Sequence, residues 1–86
     1  MRDIVFKGAA FDDFNDWSKT DNQTFNKLVK LIEETRRTPF TGTGKPEPLK
    51  HQFKGLWSRR INDQHRLVYI VKDDAVEIVA CKFHYK

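Results

Sequence analysis

Three kinds of side chain in this 86-residue sequence could together cleave RNA: a carboxylate, a cluster of cations and a histidine near the C-terminus. The carboxylate is Glu47, which lies between Pro46 and Pro48, and the histidine is His84. In such a reaction a base removes the proton of a ribose 2′-hydroxyl, the oxygen attacks the adjacent phosphorus, and an acid protonates the departing 5′-oxygen. Cations stabilise the negative charge that develops on the phosphorane. The set is generic, and it predicts this chemistry only if the fold brings its members together.

The cations lie mainly in one stretch of the sequence, residues 36–67. This stretch carries eight Lys and Arg against two acidic residues, a net +6, whereas the whole chain carries +4. Positive charge clustered in this way predicts a polyanionic partner such as a nucleic acid, and a solvated basic surface is the alternative. The eight cations are Arg36, Arg37, Lys45, Lys50, Lys54, Arg59, Arg60 and Arg66.

Most of the candidates also have a purely structural interpretation. Glu47 could pair with a neighbouring lysine in a solvated loop. Arg59 and Arg60 could be ordinary exposed residues on opposite faces of one strand, since side chains alternate along a strand. At the C-terminus, His84 could be a surface residue and Tyr85 an aromatic that packs on the edge of the sheet.

Arg66 is harder to explain without a bound anion. If the turn after Ile61 leaves three residues unpaired, Arg60 and Arg66 lie directly opposite one another. Like charges in that position are destabilising unless an anion lies between them. A two-residue turn would instead place Arg66 opposite Ile61, and the sequence leaves both registers open.

The first half of the chain predicts a strand followed by two helices. Asp3 to Lys7 carries a short apolar run that is typical of a strand. The first helix is expected to end near Thr20, and Asp21 is the predicted N-cap of the second, which Pro39 terminates. Apolar residues spaced three to four apart predict one buried stripe on each helix: Ala10, Phe11, Phe14 and Trp17 on the first, and Phe25, Leu28, Val29 and Ile32 on the second.

The second half predicts a loop and then strands. Residues 39–48 contain three prolines and two glycines, which indicates a loop that carries Glu47. Turn residues after Ile61 and from Lys72 to Asp74 predict that the last three strands form an antiparallel meander. The last strand is apolar on both faces and is expected inside the sheet. The predicted strands are Leu49 to His51, Trp57 to Asn62, His65 to Lys72 and Ala75 to Phe83.

Together these elements predict an α+β fold in which two N-terminal helices pack on a twisted, mainly antiparallel sheet of four or five strands. The length allows one hydrophobic core, so a single domain over residues 1–86 is expected.

Without a spanning apolar run or a signal peptide, the expected location is cytoplasmic, with no role for a membrane. No phosphate-binding glycine loop and no spaced Cys and His set appear, so neither a metal nor another cofactor is expected. Cys81 is expected to be a small buried hydrophobe.

The sequence TRRTPFTGTGKPEPLKHQFKGLWSRRINDQHRLVY, followed later by ACKFHY, resembles the YoeB (Txe) toxins, a branch of the RelE/ParE superfamily of bacterial toxin-antitoxin systems. The resemblance implies a RelE-like, microbial-ribonuclease-like fold. It also implies an endoribonuclease that cuts mRNA in the A site of the 70S ribosome and so inhibits translation. The implied protein partners are a YefM-type antitoxin and a second copy of the chain, with operator DNA contacted only through the antitoxin.

The same resemblance implies roles for individual residues. Glu47 in KPEPLK would be the general base, His84 in the terminal HY the general acid, and Arg66 in HRLVY the residue that stabilises the transition state. Four further residues are predicted to contact the substrate: Lys50, Arg60 and Arg59 as cations, and Tyr85 as an aromatic that helps to place the RNA.

A non-catalytic function is the alternative, in which the chain poisons DNA gyrase or acts as a corepressor bound to its antitoxin. The presence of both Glu47 and His84 favours the ribonuclease, because the ParE-like members that poison gyrase lack an obvious acid-base pair. The ribonuclease hypothesis requires a fold that places His84 beside Glu47 and Arg66, around a space of the size of one phosphate.

Overall fold

A computed structural model of the protein describes residues 1–83, and all structural statements refer to these residues. Five strands form one sheet in the order β1-β5-β4-β3-β2, in which β1 and β5 are parallel and the other pairs are antiparallel. The prediction of two helices on a mainly antiparallel sheet is confirmed. The elements are β1 (Asp3–Phe6), α1 (Gly8–Thr20), α2 (Asn22–Arg37), β2 (Glu47–Pro48), β3 (Trp57–Arg60), β4 (Arg66–Val71) and β5 (Ala75–Ala80).

The junction of the two helices forms as the sequence predicts. The Asp21 carboxylate accepts hydrogen bonds from the backbone N–H of Thr24 at 3.0 Å and from its hydroxyl at 2.7 Å. This N-cap satisfies a backbone donor that the first turn of α2 would otherwise leave unpaired. At the C-terminal end of α2, the N–H of Thr38 donates to the carbonyl of Glu34, and Pro39 follows.

Both helices pack on one face of the sheet and enclose the core. Two residues of the predicted buried stripes are exposed instead. Phe11 and Val29 are 49% and 36% exposed, because they lie at the edges of their helical stripes. The buried core consists of Ala10, Trp17, Leu28, Leu31, Ile32, Ile61, Leu67, Tyr69, Val76, Ile78 and Cys81.

One predicted strand, Leu49 to His51, is wrong. The strand pairing occurs earlier, at Glu47–Pro48, and His51–Phe53 forms a short 3-10 turn. Local hydrogen bonds explain the difference, since the N–H of Phe53 bonds to the carbonyl of Lys50 and His51 adopts a left-handed φ of 58°. A strand cannot continue through a residue in that conformation.

The predicted meander of the last three strands is confirmed, with one irregularity. Val68 pairs with Ala80 and Tyr69 pairs with Ile78, so Val79 is the extra residue of a β-bulge. Bulges bend a strand and redirect the side chains that follow. Here the bulge lies directly before Ala80, the last residue of β5.

No helix within residues 1–83 is both long and apolar enough to cross a membrane. The same residues contain no cluster of three or more His, Cys, Asp or Glu side chains suited to hold a metal ion.

Candidate active site

The register of the β3–β4 hairpin places Arg60 directly opposite Arg66. Ile61 and His65 close the hairpin through a backbone hydrogen bond of 2.9 Å, which leaves three residues in the turn. The side-chain oxygen of Asn62 accepts from the N–H of His65 at 2.8 Å and fixes the turn. The two arginines therefore lie on neighbouring strands with their side chains on the same face of the sheet.

Glu47 belongs to that same face. It pairs with Ser58 on β3, and Ser58 lies two residues before Arg60, so alternation puts all three side chains on one side. This side is opposite to the helices, because Leu67, at the intervening position of β4, lies in the core. From the usual strand spacing and rise, the Cα atoms of Glu47 and Arg66 lie about 12 Å apart. Two long side chains at this separation can both reach a phosphate and its ribose between them.

Glu47 is exposed, and it borders a groove of about 370 Å³ on the surface of the protein. Lys50, one of the predicted substrate cations, is exposed on the same groove. A carboxylate and an ammonium group beside an open groove are accessible to a polyanionic chain. The groove is lined by residues 47–53.

Arg66 is partly buried and already donates hydrogen bonds. Its Nη1 donates to the carbonyl of Asn62 at 2.6 Å and to that of His65 at 3.1 Å. These bonds hold the guanidinium beside the hairpin turn. Arginine has five N–H donors in a fixed planar arrangement, so a group held at one nitrogen retains donors for a phosphate.

Arg59 has a different environment from the one predicted. Its side chain is 0% exposed, and its Nη1 donates to the carboxylate of Glu34 at 2.7 Å. Its Nη2 donates to the carbonyls of Thr38 and Thr41 in the loop that follows α2. Neither an exposed strand residue nor a substrate contact fits this burial. We therefore correct the prediction and assign Arg59 to holding the loop that leads to Glu47.

Glu34 and Tyr69 complete this loop anchor, which we define as Glu34, Arg59 and Tyr69. The Glu34 carboxylate accepts from the N–H of Thr43 at 2.6 Å and from its hydroxyl at 2.9 Å. The Tyr69 hydroxyl donates to the carbonyl of Pro39 at 2.7 Å and accepts from Arg59 Nε at 3.2 Å. One side chain from a helix and two from strands thus hold the first part of the loop, from Thr38 to Thr43.

Two pKa shifts reflect this network. The backbone N–H of Thr43 lowers the pKa of the Glu34 carboxyl; the Thr43 hydroxyl and Arg59 reinforce the change, although burial opposes it. Burial raises the pKa of the Tyr69 hydroxyl, which keeps its proton and remains a donor. Both residues therefore hold the protonation states that their hydrogen bonds need.

Gly44 completes the approach of the loop to the sheet. Its carbonyl accepts from the N–H of Arg60 at 2.7 Å, and its φ is +86°. A Cβ at this position would lie 2.9 Å from the carbonyl oxygen of Arg60, which is too close. Only glycine combines this backbone conformation with this approach, so Gly44 sets the start of the path to Glu47.

The C-terminal end of the described chain returns to Arg66. The N–H of Arg66 donates to the carbonyl of Phe83 at 2.8 Å. The predicted acid His84 and the predicted RNA contact Tyr85 lie outside the described residues. Their predicted roles rest on the sequence.

Sequence reasoning missed the loop anchor, although one signal was present. Arg59 stands midway between Trp57 and Ile61 at two-residue spacing, and two such apolar neighbours indicate the buried side of a strand. A buried arginine then requires a carboxylate partner. Nothing in the sequence indicates which acidic residue this partner is, because Glu34 lies 25 positions away.

Comparison with known proteins places the sequence among bacterial toxins. The model of the family described as YoeB-like toxin of bacterial type II toxin-antitoxin system matches residues 6–85. Toxin YoeB of Escherichia coli strain K12 is 51% identical over 82 residues, which cover 95% of this chain and 98% of that protein.

Solved structures agree with this similarity. A YoeB/ParE toxin from Agrobacterium tumefaciens has a TM-score of 0.91 at 42% identity, covering 96% of this chain and 99% of that one. A YoeB dimer from Staphylococcus aureus has a TM-score of 0.90 at 40% identity, covering 98% of both chains. The YoeB chain of a YoeB-YefM complex from the same species has a TM-score of 0.89 at 38% identity, covering 99% of both.

Proposed function

Because the chain belongs to the YoeB-like toxins of bacterial type II toxin-antitoxin systems, as its motifs predict, we propose that it is a ribosome-dependent endoribonuclease. It acts as a single toxin domain in the cytoplasm, cuts mRNA in the A site of the 70S ribosome, and thereby inhibits translation. No cofactor enters the proposed reaction.

The observation that carries this proposal is the alignment of Glu47, Arg60 and Arg66 on the face of the sheet that the helices leave uncovered. A carboxylate and two guanidinium groups on one face supply a base and a site for a phosphate. The register also supports an anion between the two arginines, since an anion there offsets the repulsion of like charges.

In the proposed reaction Glu47 takes the proton of the ribose 2′-hydroxyl. The 2′-oxygen attacks the adjacent phosphorus, the bond to the 5′-oxygen breaks, and His84 gives that oxygen a proton. The products are a 2′,3′-cyclic phosphate and a new 5′-hydroxyl. Arg66 stabilises the charge on the phosphorane, where a preorganised donor is worth on the order of 10²- to 10³-fold in rate.

Three further residues bind the RNA. Lys50 beside the groove and Arg60 opposite Arg66 contact phosphates, and Tyr85 stacks on a base. Arg59, which is buried, contributes through the loop anchor instead.

Family membership supports the proposed protein partners. The relatives from Staphylococcus aureus are described as a YoeB dimer and as a YoeB-YefM complex. We propose that this chain likewise forms a homodimer and binds a YefM-type antitoxin, and that it reaches operator DNA only through that antitoxin.

The mechanism is tested on ribosomes programmed with a synthetic message in which one nucleotide of the A-site codon is 2′-deoxy. The proposal predicts cleavage of the all-ribose message and none at the deoxy position, because the nucleophile is missing. Cleavage that continues at the deoxy position would refute 2′-hydroxyl attack. Intact messages together with inhibited supercoiling would favour the non-catalytic alternative, a gyrase poison.

A further inference from the structure

The backbone of Phe83 is held at both of its polar atoms by two successive residues. Its N–H donates to Nδ1 of His65 at 2.7 Å, and its carbonyl accepts from the N–H of Arg66 at 2.8 Å. One of these bonds uses a side chain and the other a backbone group. Together they tie the chain just before His84 to the start of β4.

The His65 side chain is itself held in place. Its ring contacts Trp17 edge-on, with 4.8 Å between ring centroids, and lies 5.6 Å from the ring of Phe83. The Trp17 indole N–H in turn donates to the carbonyl of Cys81 at 2.8 Å. The imidazole therefore connects α1 to the segment of residues 81–83.

The hydrogen bond defines the state of this imidazole. A nitrogen that accepts an N–H has its lone pair available, so Nδ1 of His65 carries no proton. His65 in this form is neutral with its proton on Nε2, and its contact with Phe83 is that of an acceptor. The bond also accompanies an unusual backbone, since Phe83 has a φ of +60°.

That conformation is costly for a bulky residue and persists only where contacts enforce it. The two hydrogen bonds and the ring contact of His65 are such contacts. A left-handed residue changes the direction of the chain. His65 thus helps to hold both the position and the left-handed backbone conformation of Phe83.

We propose that His65 is a positioning residue for the general acid: by accepting the N–H of Phe83 it orients the chain that presents His84 to the departing 5′-oxygen. This inference rests on the proposed function, because His84 acts as an acid only in that reaction. A positioning residue of this kind affects one step selectively. Loss of His65 should impair protonation of the leaving group and leave the activation of the 2′-hydroxyl by Glu47 intact.

The test compares two synthetic messages on programmed ribosomes, one with the ordinary 5′-oxygen at the scissile phosphate and one with a bridging 5′-sulfur. A thiolate leaves without needing a proton, so the sulfur message bypasses the general acid. With His65→Ala, the single-turnover rate at saturating protein should fall on the order of 10- to 100-fold on the oxygen message, less than the roughly 10²- to 10⁴-fold that complete loss of a general acid costs. The rate on the sulfur message should change less than about threefold, because that step needs no acid. His84→Ala should show the same selectivity, and Glu47→Ala should lose both activities.

A matched pair of variants separates positioning from packing. The amide of His65→Asn places an oxygen near the position of Nδ1, whereas the longer His65→Gln places its amide near Nε2. The proposal predicts that Asn restores more of the oxygen-message rate than Gln does. This comparison tests the proposal even if His65→Ala does not fold.

Three outcomes would overturn the inference. Equal losses on the two messages would assign His65 to general stability, and an unchanged rate on the oxygen message would remove its role. Equal rates for His65→Asn and His65→Gln on the oxygen message would show that the hydrogen bond accepted at Nδ1 has no positioning role. Failure of the unaltered protein to cleave either message would instead refute the proposed function, on which this inference depends.

Discussion

Arg60 lies directly opposite Arg66 across the antiparallel pair of β3 and β4, and both side chains belong to the face that the helices leave uncovered. Two like charges in this position weaken a hairpin unless something compensates. In the free protein, Arg66 donates to the carbonyls of the hairpin turn, which partly offsets the repulsion. The arrangement is thus favourable for binding an anion and unfavourable for the stability of the free chain.

We therefore expect Arg60→Gln to stabilise the protein and to reduce its activity. Removal of one charge of the pair should raise the free energy of unfolding by about 0.5 kcal/mol, measured by urea denaturation. Cleavage of ribosome-bound message should fall, because a phosphate contact is lost. Lys54→Gln removes an exposed lysine from the turn between β2 and β3 and should leave stability unchanged. A loss of stability in Arg60→Gln would contradict the proposed repulsion.

The loop anchor predicts a large effect from Glu34. Glu34→Ala leaves the buried guanidinium of Arg59 without its carboxylate and the N–H of Thr43 without its acceptor. The expected loss is roughly 2 kcal/mol of unfolding free energy, because carbonyl contacts to Arg59 remain. Glu33→Ala is the matched control, since its half-exposed pair with Arg36 should contribute less than about 0.5 kcal/mol. Equal losses in the two variants would refute the anchor.

Stability should decline in acid in part because two glutamates have a lowered carboxyl pKa. The N–H of Thr43 lowers the pKa of Glu34, and the hydrogen bond from Lys72 lowers that of Glu77. Each contribution is complete above the ordinary pKa of 4.5 and is lost as the pH falls through the lower folded value. As the pH is lowered from about 7 to about 3, the melting temperature should fall mainly once the pH is below that ordinary pKa. Glu34→Gln should make the melting temperature depend less on pH. An unchanged pH dependence would show that Glu34 does not contribute to the decline.

Cys81 is expected to be unreactive in the folded protein. Burial raises the pKa of its thiol to about 12, and the charge of Asp13 adds to the shift. Alkylation by iodoacetamide at about pH 8 needs the thiolate and should therefore require unfolding. The labelling rate should rise with urea in parallel with the loss of helical circular dichroism. Rapid labelling without urea would contradict the burial of this thiol.

The sequence predicted those parts of the fold that depend on local chemistry. Asp21 caps α2 because a short carboxylate beside free N–H groups has one favourable partner. The meander follows from turn residues between alternating strands, and the buried position of Cys81 follows from the apolar pattern of the segment 75–81. Each of these features is decided within a few residues of the chain.

Features set by contacts between distant segments could not be predicted. The register that pairs Arg60 with Arg66 depends on how many residues the turn leaves unpaired, and either register was compatible with the sequence. The burial of Arg59 depends on Glu34, on another element. The proposed role of His65 depends on where the chain returns after β5, because His65 and Phe83 lie 18 positions apart.

Primer extension on a translated message after induction of the protein tests the central claim most directly. The account predicts new cleavage ends within the translated codons, none with Glu47→Ala or His84→Ala, and undiminished ends with Glu33→Ala. Translation arrest by the Glu47→Ala and His84→Ala proteins as strong as that by the unaltered protein, with messages left intact, would contradict it.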